Sequence, residues 1–200
     1  MLRNIEELSP GIYKIDNFIS KSSCDFLIKH LNVDLDESPR HHIYGSLGSE
    51  YPKYLEIIGN YKEDSSYNNA LDLFNSIILS FNSFISFMFK EEHILKQTYY
   101  SVMKDGSENT IHIDNYYYDE NGDLKIKDGY SKDKSAMLYL SDNYEGGELY
   151  FPNQNFSIKP QAGTVIFFEG DGSKPHGVKE VISGERCNII TFFEPRNLNG

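Results

Sequence analysis

The chain has 200 residues, 39% of them hydrophobic and 24% charged, with a formal net charge of −11. That length fits one domain with a real buried core, and the hydrophobic share excludes a disordered chain. The acidic balance excludes a phosphate-gripping nucleic-acid groove and disfavours an anionic membrane, leaving neutral or basic partners and small molecules.

The opening stretch, Met1–Lys14, carries no signal-peptide apolar run, so a cytoplasmic protein is the expectation. Only Cys24 and Cys187 occur, which reads as two buried free thiols rather than a disulfide framework. Ser20 and its neighbouring serines offer capping hydroxyls to a helix whose buried face is Cys24, Leu27, Ile28 and Leu31. A mixed stretch, Ser38–Tyr67, with Gly45, Gly48 and Gly59, reads as irregular. A second helix follows over Asn68–Lys90, with Leu71, Phe74, Ile78, Phe81, Ile85 and Met88 as its stripe. Asp72, Asn75, Asn82 and several serines interrupt its apolar surface, making it a core helix rather than a membrane span.

From Gln97 the pattern turns to short β-rich runs: Gln97–Met103, Thr110–Asp114, Ala136–Ser141, Glu148–Phe151, Asn155–Lys159, Thr164–Glu169, Gly177–Val181 and Cys187–Glu194. Glu145-Gly-Gly-Glu148, Lys159–Gly163 and Ser183-Gly-Glu185 read as hairpin turns between them. The class is α+β, with a mostly antiparallel barrel or sandwich in the C-terminal half and helices outside one sheet. The polar loop Asn115–Lys134, with Tyr116, Tyr117, Tyr118 and Tyr130, is either a lid over a site or a disordered excursion.

His112-x-Asp114 lies on a strand, where residues i and i+2 share a face and can meet one ion. Alone this pair is weak. His176, just after a later strand, supplies a second imidazole, and two histidines with one carboxylate leave open positions on a non-haem iron. Zinc would call for a fourth protein ligand or a hydrolytic base, and no such residue stands at sensible spacing. Arg186 opens the last long strand and shares its face with Asn188, Ile190 and Phe192. A guanidinium there suits the far carboxylate of a chelating diacid such as 2-oxoglutarate. The remaining histidines, His30, His41, His42 and His93, read as helix-end or surface residues.

Taken in order, His112-x-Asp114, Met137-Leu-Tyr-Leu-Ser-Asp142, Glu145-Gly-Gly-Glu-Leu-Tyr-Phe-Pro152, Pro160-x-x-Gly163-x-x-x-Phe167-Phe168, Pro175-His176 and Gly184-Glu-Arg186 resemble the prolyl 4-hydroxylase-like branch of the iron(II)/2-oxoglutarate oxygenases. Ile12–Leu31 resembles that family's opening strand and helix. The resemblance implies a double-stranded β-helix, the cupin-like jelly roll, with N-terminal helices on the major sheet. One domain would span 1–200, with 1–96 as buttress and 97–195 as core. It implies Fe(II) held by His112, Asp114 and His176, with 2-oxoglutarate paired to Arg186, O2 as oxidant and ascorbate as an accessory reductant. Tyr139 matches a tyrosine that also reaches the cosubstrate, with a core aromatic as the plainer alternative; Asn109 and Asn188 are placed with it. The family's tyrosines nine and three residues before the first metal histidine are here Met103 and Asn109, and its late tryptophan falls within Phe192-Phe193. The implied reaction is hydroxylation of a prolyl residue in a peptide or protein. Alternatives are a free amino acid or small metabolite as substrate, or a non-catalytic metal-binding module. No pattern sets an oligomeric state.

Overall fold

The computed structural model describes residues 4–31, 40–46, 65–114, 116–126 and 134–196. The chain opens with a hairpin, β1 (Ile5–Ser9) and β2 (Ile12–Ile15), and enters helix α1 (Lys21–Leu31). The Ser20 hydroxyl caps that helix by accepting the Ser23 N–H at 3.1 Å, and Cys24, Leu27 and Leu31 form its buried face. Within the stretch expected to be irregular, Arg40–Ser46 is a strand, β3, on the outer edge of a sheet. Residues 32–39 and 47–64 lie outside the described part. Helix α2 (Ser65–Phe89) buries Leu71, Phe74, Ile78, Phe81 and Ile85, the stripe its period requires, and stops at Lys90 with φ 54.

Twelve further strands follow: β4 (His93–Met103), β5 (Asn109–His112), β6 (Tyr116–Tyr118), β7 (Leu124–Ile126), β8 (Lys134–Tyr139), β9 (Glu145–Gly146), β10 (Leu149–Phe151), β11 (Phe156–Ile158), β12 (Val165–Glu169), β13 (His176–Val178), β14 (Val181–Ser183) and β15 (Arg186–Pro195). They build a seven-stranded sheet, β1-β2-β12-β8-β15-β4-β3, and a four-stranded sheet, β11-β10-β13-β5, with β14-β9 and β6-β7 as separate pairs. Neighbours in the two larger sheets run antiparallel, the double-sheet arrangement of a jelly roll.

The seven-stranded sheet is covered on both faces. Ala136 and Leu138 of β8, Phe167 of β12 and Ile189 of β15 share one buried cluster with Leu27, Phe74, Phe81 and Ile85 of the helices. Phe81 meets Phe167 edge-on at 5.7 Å. The alternate residues Met137, Tyr139, Ile166 and Phe168 join Leu149 and Phe151 of the smaller sheet in a second cluster. Every residue of β8 is therefore buried, although consecutive side chains point in opposite directions.

The three glycine-containing turns expected to be hairpins are corners between sheets. Glu145-Gly146 pairs with β14 before the chain joins the smaller sheet at β10; Lys159–Gly163 carries it from β11 to β12 in the larger sheet; Gly184 carries it from β14 into β15. Gly163 has φ +86, and a Cβ there would run into the Ile19 carbonyl oxygen. A tight hairpin instead joins β10 to β11, where Pro152–Gln154 forms a 3₁₀ turn closed by Asn155 at φ 48. The stretch expected to be one long loop, 115–134, contains the β6-β7 hairpin, with residue 115 and residues 127–133 outside the described part.

Candidate metal centre

Two histidines far apart in sequence are direct cross-strand neighbours: in the β5-β13 pair, His112 stands opposite His176. Their rings are 4.5 Å apart between centroids. Asp114 follows His112 by two residues and so returns to the same side. Its Oδ1 lies 3.7 Å from His112 Nε2 and 3.7 Å from His176 Nε2. Those separations are too long for hydrogen bonds, and all three ligand atoms lie within 4.8 Å of one another. Among the described residues, no fourth His, Cys, Asp or Glu joins them.

The surroundings aim these atoms at a common point. His112 Nδ1 faces the Thr110 carbonyl at 2.8 Å and His176 Nδ1 faces the Lys174 carbonyl at 3.0 Å. A carbonyl oxygen only accepts, so each Nδ1 carries the proton and each Nε2 keeps a lone pair for a metal. Asp114 Oδ2 accepts the Ser135 hydroxyl at 2.7 Å, which leaves Oδ1 as the inward ligand. Phe168 packs edge-on against His176 at 4.7 Å, and Asp114 and His176 are buried while His112 is part-exposed. Two neutral imidazoles and one carboxylate in this disposition fit a divalent iron with positions left for other ligands, and fit a closed structural zinc poorly.

The same pocket, about 90 Å³ in volume, is lined by the three ligand residues and by Arg186, Met103, Met137 and Asn109. Arg186 is 1% exposed, yet no carboxylate pairs with it among the described residues. Its Nε donates to the Gly147 carbonyl at 3.0 Å and its Nη2 to the Tyr139 hydroxyl at 3.1 Å. Two thioethers also face it, Met103 Sδ at 3.6 Å from Nη1 and Met137 Sδ at 3.4 Å from Nη2. A buried cation flanked by such weak acceptors is poised for an anion. Burial raises the Tyr139 phenol while the Arg186 charge opposes that rise, so the hydroxyl remains protonated.

Tyr139 therefore reaches the site through Arg186, whereas Asn109 lines the pocket directly. Asn188 is fully buried, opposite Tyr139 in the β15-β8 register, and its amide nitrogen donates to the Leu138 carbonyl at 3.4 Å; it forms no part of the pocket wall. One residue went unread in the sequence: Ser135 acts on Asp114 across the fold, and nothing in its local pattern marks it. His93 is buried, with Nδ1 2.8 Å from the Glu91 carbonyl, and His30 lies 4.7 Å from the Phe26 ring; neither joins the cluster. The side chains of His41 and His42 lie outside the described part. Cys24 and Cys187 are free and buried, and burial pushes both thiols up to about 11.

Residues 97–194 match the family model of the 2OG-Fe(II) oxygenase superfamily. Among curated proteins, prolyl 3-hydroxylase 2 of Homo sapiens is 40% identical over 91 residues, covering 42% of this chain and 13% of that protein. Prolyl 3-hydroxylase 1 of Gallus gallus is 33% identical over 122 residues, covering 54% of this chain and 17% of that protein. The chain thus matches well under a fifth of the length of either relative. Among solved structures, the viral collagen prolyl hydroxylase of Paramecium Bursaria Chlorella virus-1, in its 2OG complex, superimposes with a TM-score of 0.62 at 22% identity, over 92% of this chain and 95% of that one. A prolyl hydroxylase of Trichoplax adhaerens, in complex with a hypoxia inducible factor peptide fragment, gives a TM-score of 0.61 at 18% identity, over 92% of this chain and 83% of that one. The structural likenesses show a shared fold, and the family-model match spans the strands that carry the ligand cluster and Arg186. The half of the chain that carries the ligand cluster and Arg186, residues 97–194, is thus similar to the 2OG-Fe(II) oxygenase superfamily, and the curated relatives it matches are prolyl hydroxylases.

Proposed function

We propose that this protein is an Fe(II)- and 2-oxoglutarate-dependent dioxygenase that hydroxylates a prolyl residue in a peptide or protein. The observation that carries the reading is a buried, carboxylate-free arginine lining the same pocket as a two-histidine, one-aspartate cluster. His112, Asp114 and His176 hold the metal, and Arg186 with Tyr139 holds the far carboxylate of the keto diacid. Iron(II) with 2-oxoglutarate and O2 supplies oxidation of an unactivated C–H bond, with the keto acid leaving as succinate and CO2.

The rest belongs to the chain's own residues. The Thr110 and Lys174 carbonyls and the Ser135 hydroxyl keep the ligand atoms oriented. Phe168, Met137 and Ile190 keep the inner pocket apolar, so that water is excluded around the target carbon. Reactants enter beside the part-exposed His112, and the β6-β7 hairpin, which begins two residues after Asp114, is close enough in sequence to the ligands to serve as a cover for an extended peptide. The net charge of −11 favours a neutral or basic peptide. A peptide substrate also agrees with the prolyl hydroxylase relatives and with the peptide complex of the Trichoplax neighbour.

The test is incubation of the iron-loaded protein with proline-containing peptides and 2-oxoglutarate. Succinate should form together with a peptide heavier by one oxygen on proline, and the product's spectrum assigns the 3- or 4-position. His176→Ala should abolish both signals. Stoichiometric succinate with oxidised free amino acids and untouched peptides would move the substrate to a small metabolite, and no succinate at all would leave a metal-binding module.

A further inference from the structure

Arg186 has a second phenol close to it. Tyr144, in the turn between β8 and β9, is 2% exposed and shares a buried cluster with Met103, Val178 and Val181. Met103 and Val178 line the pocket, and the Met103 sulfur is the atom that meets Arg186 Nη1. Gly147 lets the ring and the arginine stem converge: at φ +66, a Cβ there would sit 3.0 Å from Tyr144 Cε2 and 3.1 Å from Arg186 Cδ. The Lys159 ammonium lies over the Tyr144 ring, 4.6 Å from its centre, and helps hold it in place.

The hydroxyl of this tyrosine is buried beside the Arg186 guanidinium with no acceptor for its proton among the described residues, whereas that of Tyr139 accepts from Arg186 at 3.1 Å. Burial raises the Tyr144 phenol and the Arg186 charge opposes the rise, so it stands ready as a donor at working pH. Among the described residues, a phenol proton without an acceptor beside an arginine without a carboxylate leaves two unmet needs in one place, and a carboxylate answers both.

We infer that Tyr144 is a cosubstrate-binding residue: its O–H donates to the same carboxylate of the keto diacid that pairs with Arg186. The inference rests on the 2-oxoglutarate reading above and adds a residue that the sequence motifs did not single out.

Calorimetric titration of the Mn(II)-loaded protein with 2-oxoglutarate and with 2-oxopentanoate tests it, since the second has the same keto acid head and no far carboxylate. Wild type should favour the diacid. Tyr144→Phe should weaken 2-oxoglutarate binding about tenfold, one hydrogen bond to a charged group, and leave 2-oxopentanoate unchanged. The ligand-free variant should melt close to wild type, because the phenol proton it loses has no acceptor among the described residues. Equal weakening of both keto acids, unchanged binding of the diacid, or a lower melting temperature without ligand would each overturn the assignment. A wild-type protein that binds the two keto acids alike would instead overturn the diacid reading beneath it.

Discussion

Arg186 and Ser135 show how much of the site depends on single atoms. A buried guanidinium surrounded by thioethers and two phenols destabilises the fold while no anion is bound. Arg186→Met should therefore raise the stability of the ligand-free protein, by roughly 1–3 kcal/mol, while 2-oxoglutarate binding is lost. Denaturant melts with and without 2-oxoglutarate read both effects, and a variant less stable than wild type would contradict the account. Ser135 acts on the metal instead. Its hydroxyl holds Asp114 Oδ2 at 2.7 Å, so Ser135→Ala should weaken metal binding by roughly 10–100-fold with little change in the fold, as metal titration would show. Of these residues the sequence announced the ligands, Arg186 and Tyr139, but not Ser135. His112 and Asp114 are legible because strand geometry puts i and i+2 on one side. Ser135 is not, because its partner lies across the fold and its own neighbours carry no metal-binding pattern.

At the scale of elements, periodicity revealed which segments are regular but not which segments pair. The α2 stripe was legible because Leu71, Phe74, Ile78, Phe81 and Ile85 recur at helical spacing and all become buried. The three glycine turns were legible as turns, yet each joins strands of different sheets, since a glycine permits a reversal without naming the next partner. β3 escaped notice because an edge strand covered on one side needs no long apolar run, and Arg40–Ser46 is largely polar. His112 and His176 likewise became neighbours through the β5-β13 register, which no spacing in the chain specifies. Phe81 tests the weight of the helix contact. It is fully buried between Phe18 at 5.3 Å and Phe167 at 5.7 Å, so Phe81→Ala should cost about 3–5 kcal/mol. Urea unfolding measures the loss, and metal affinity of the protein that remains folded should be unchanged, because the ligands sit on the opposite side of the larger sheet.

Across the whole molecule, the seven-stranded sheet divides structural burial from chemistry, and the two cysteines lie on the structural side. Cys24 and Cys187 both belong to the cluster that unites the helices with the sheet. Burial pushes each thiol from 9.0 up to about 11, with the Asp25 charge adding to the rise at Cys24. In the unfolded chain a thiol loses its proton near 9, while the folded protein holds it until about 11. Below pH 9 both states are protonated and the stabilisation is fully present. Between 9 and 11 only the unfolded state ionises, so stability falls as pH rises, on the order of 2 kcal/mol for each thiol. Urea midpoints at pH 8, 9 and 10 should decline in wild type and decline less in the Cys24→Ala/Cys187→Ala double variant. The buried phenols of Tyr100 and Tyr139 are raised as well and steepen the fall only above pH 10, which separates their contribution from that of the thiols. Native-state alkylation at pH 8 should be slow for the same reason, since a protonated thiol inside the helix-sheet cluster is both a poor nucleophile and out of reach until the core opens.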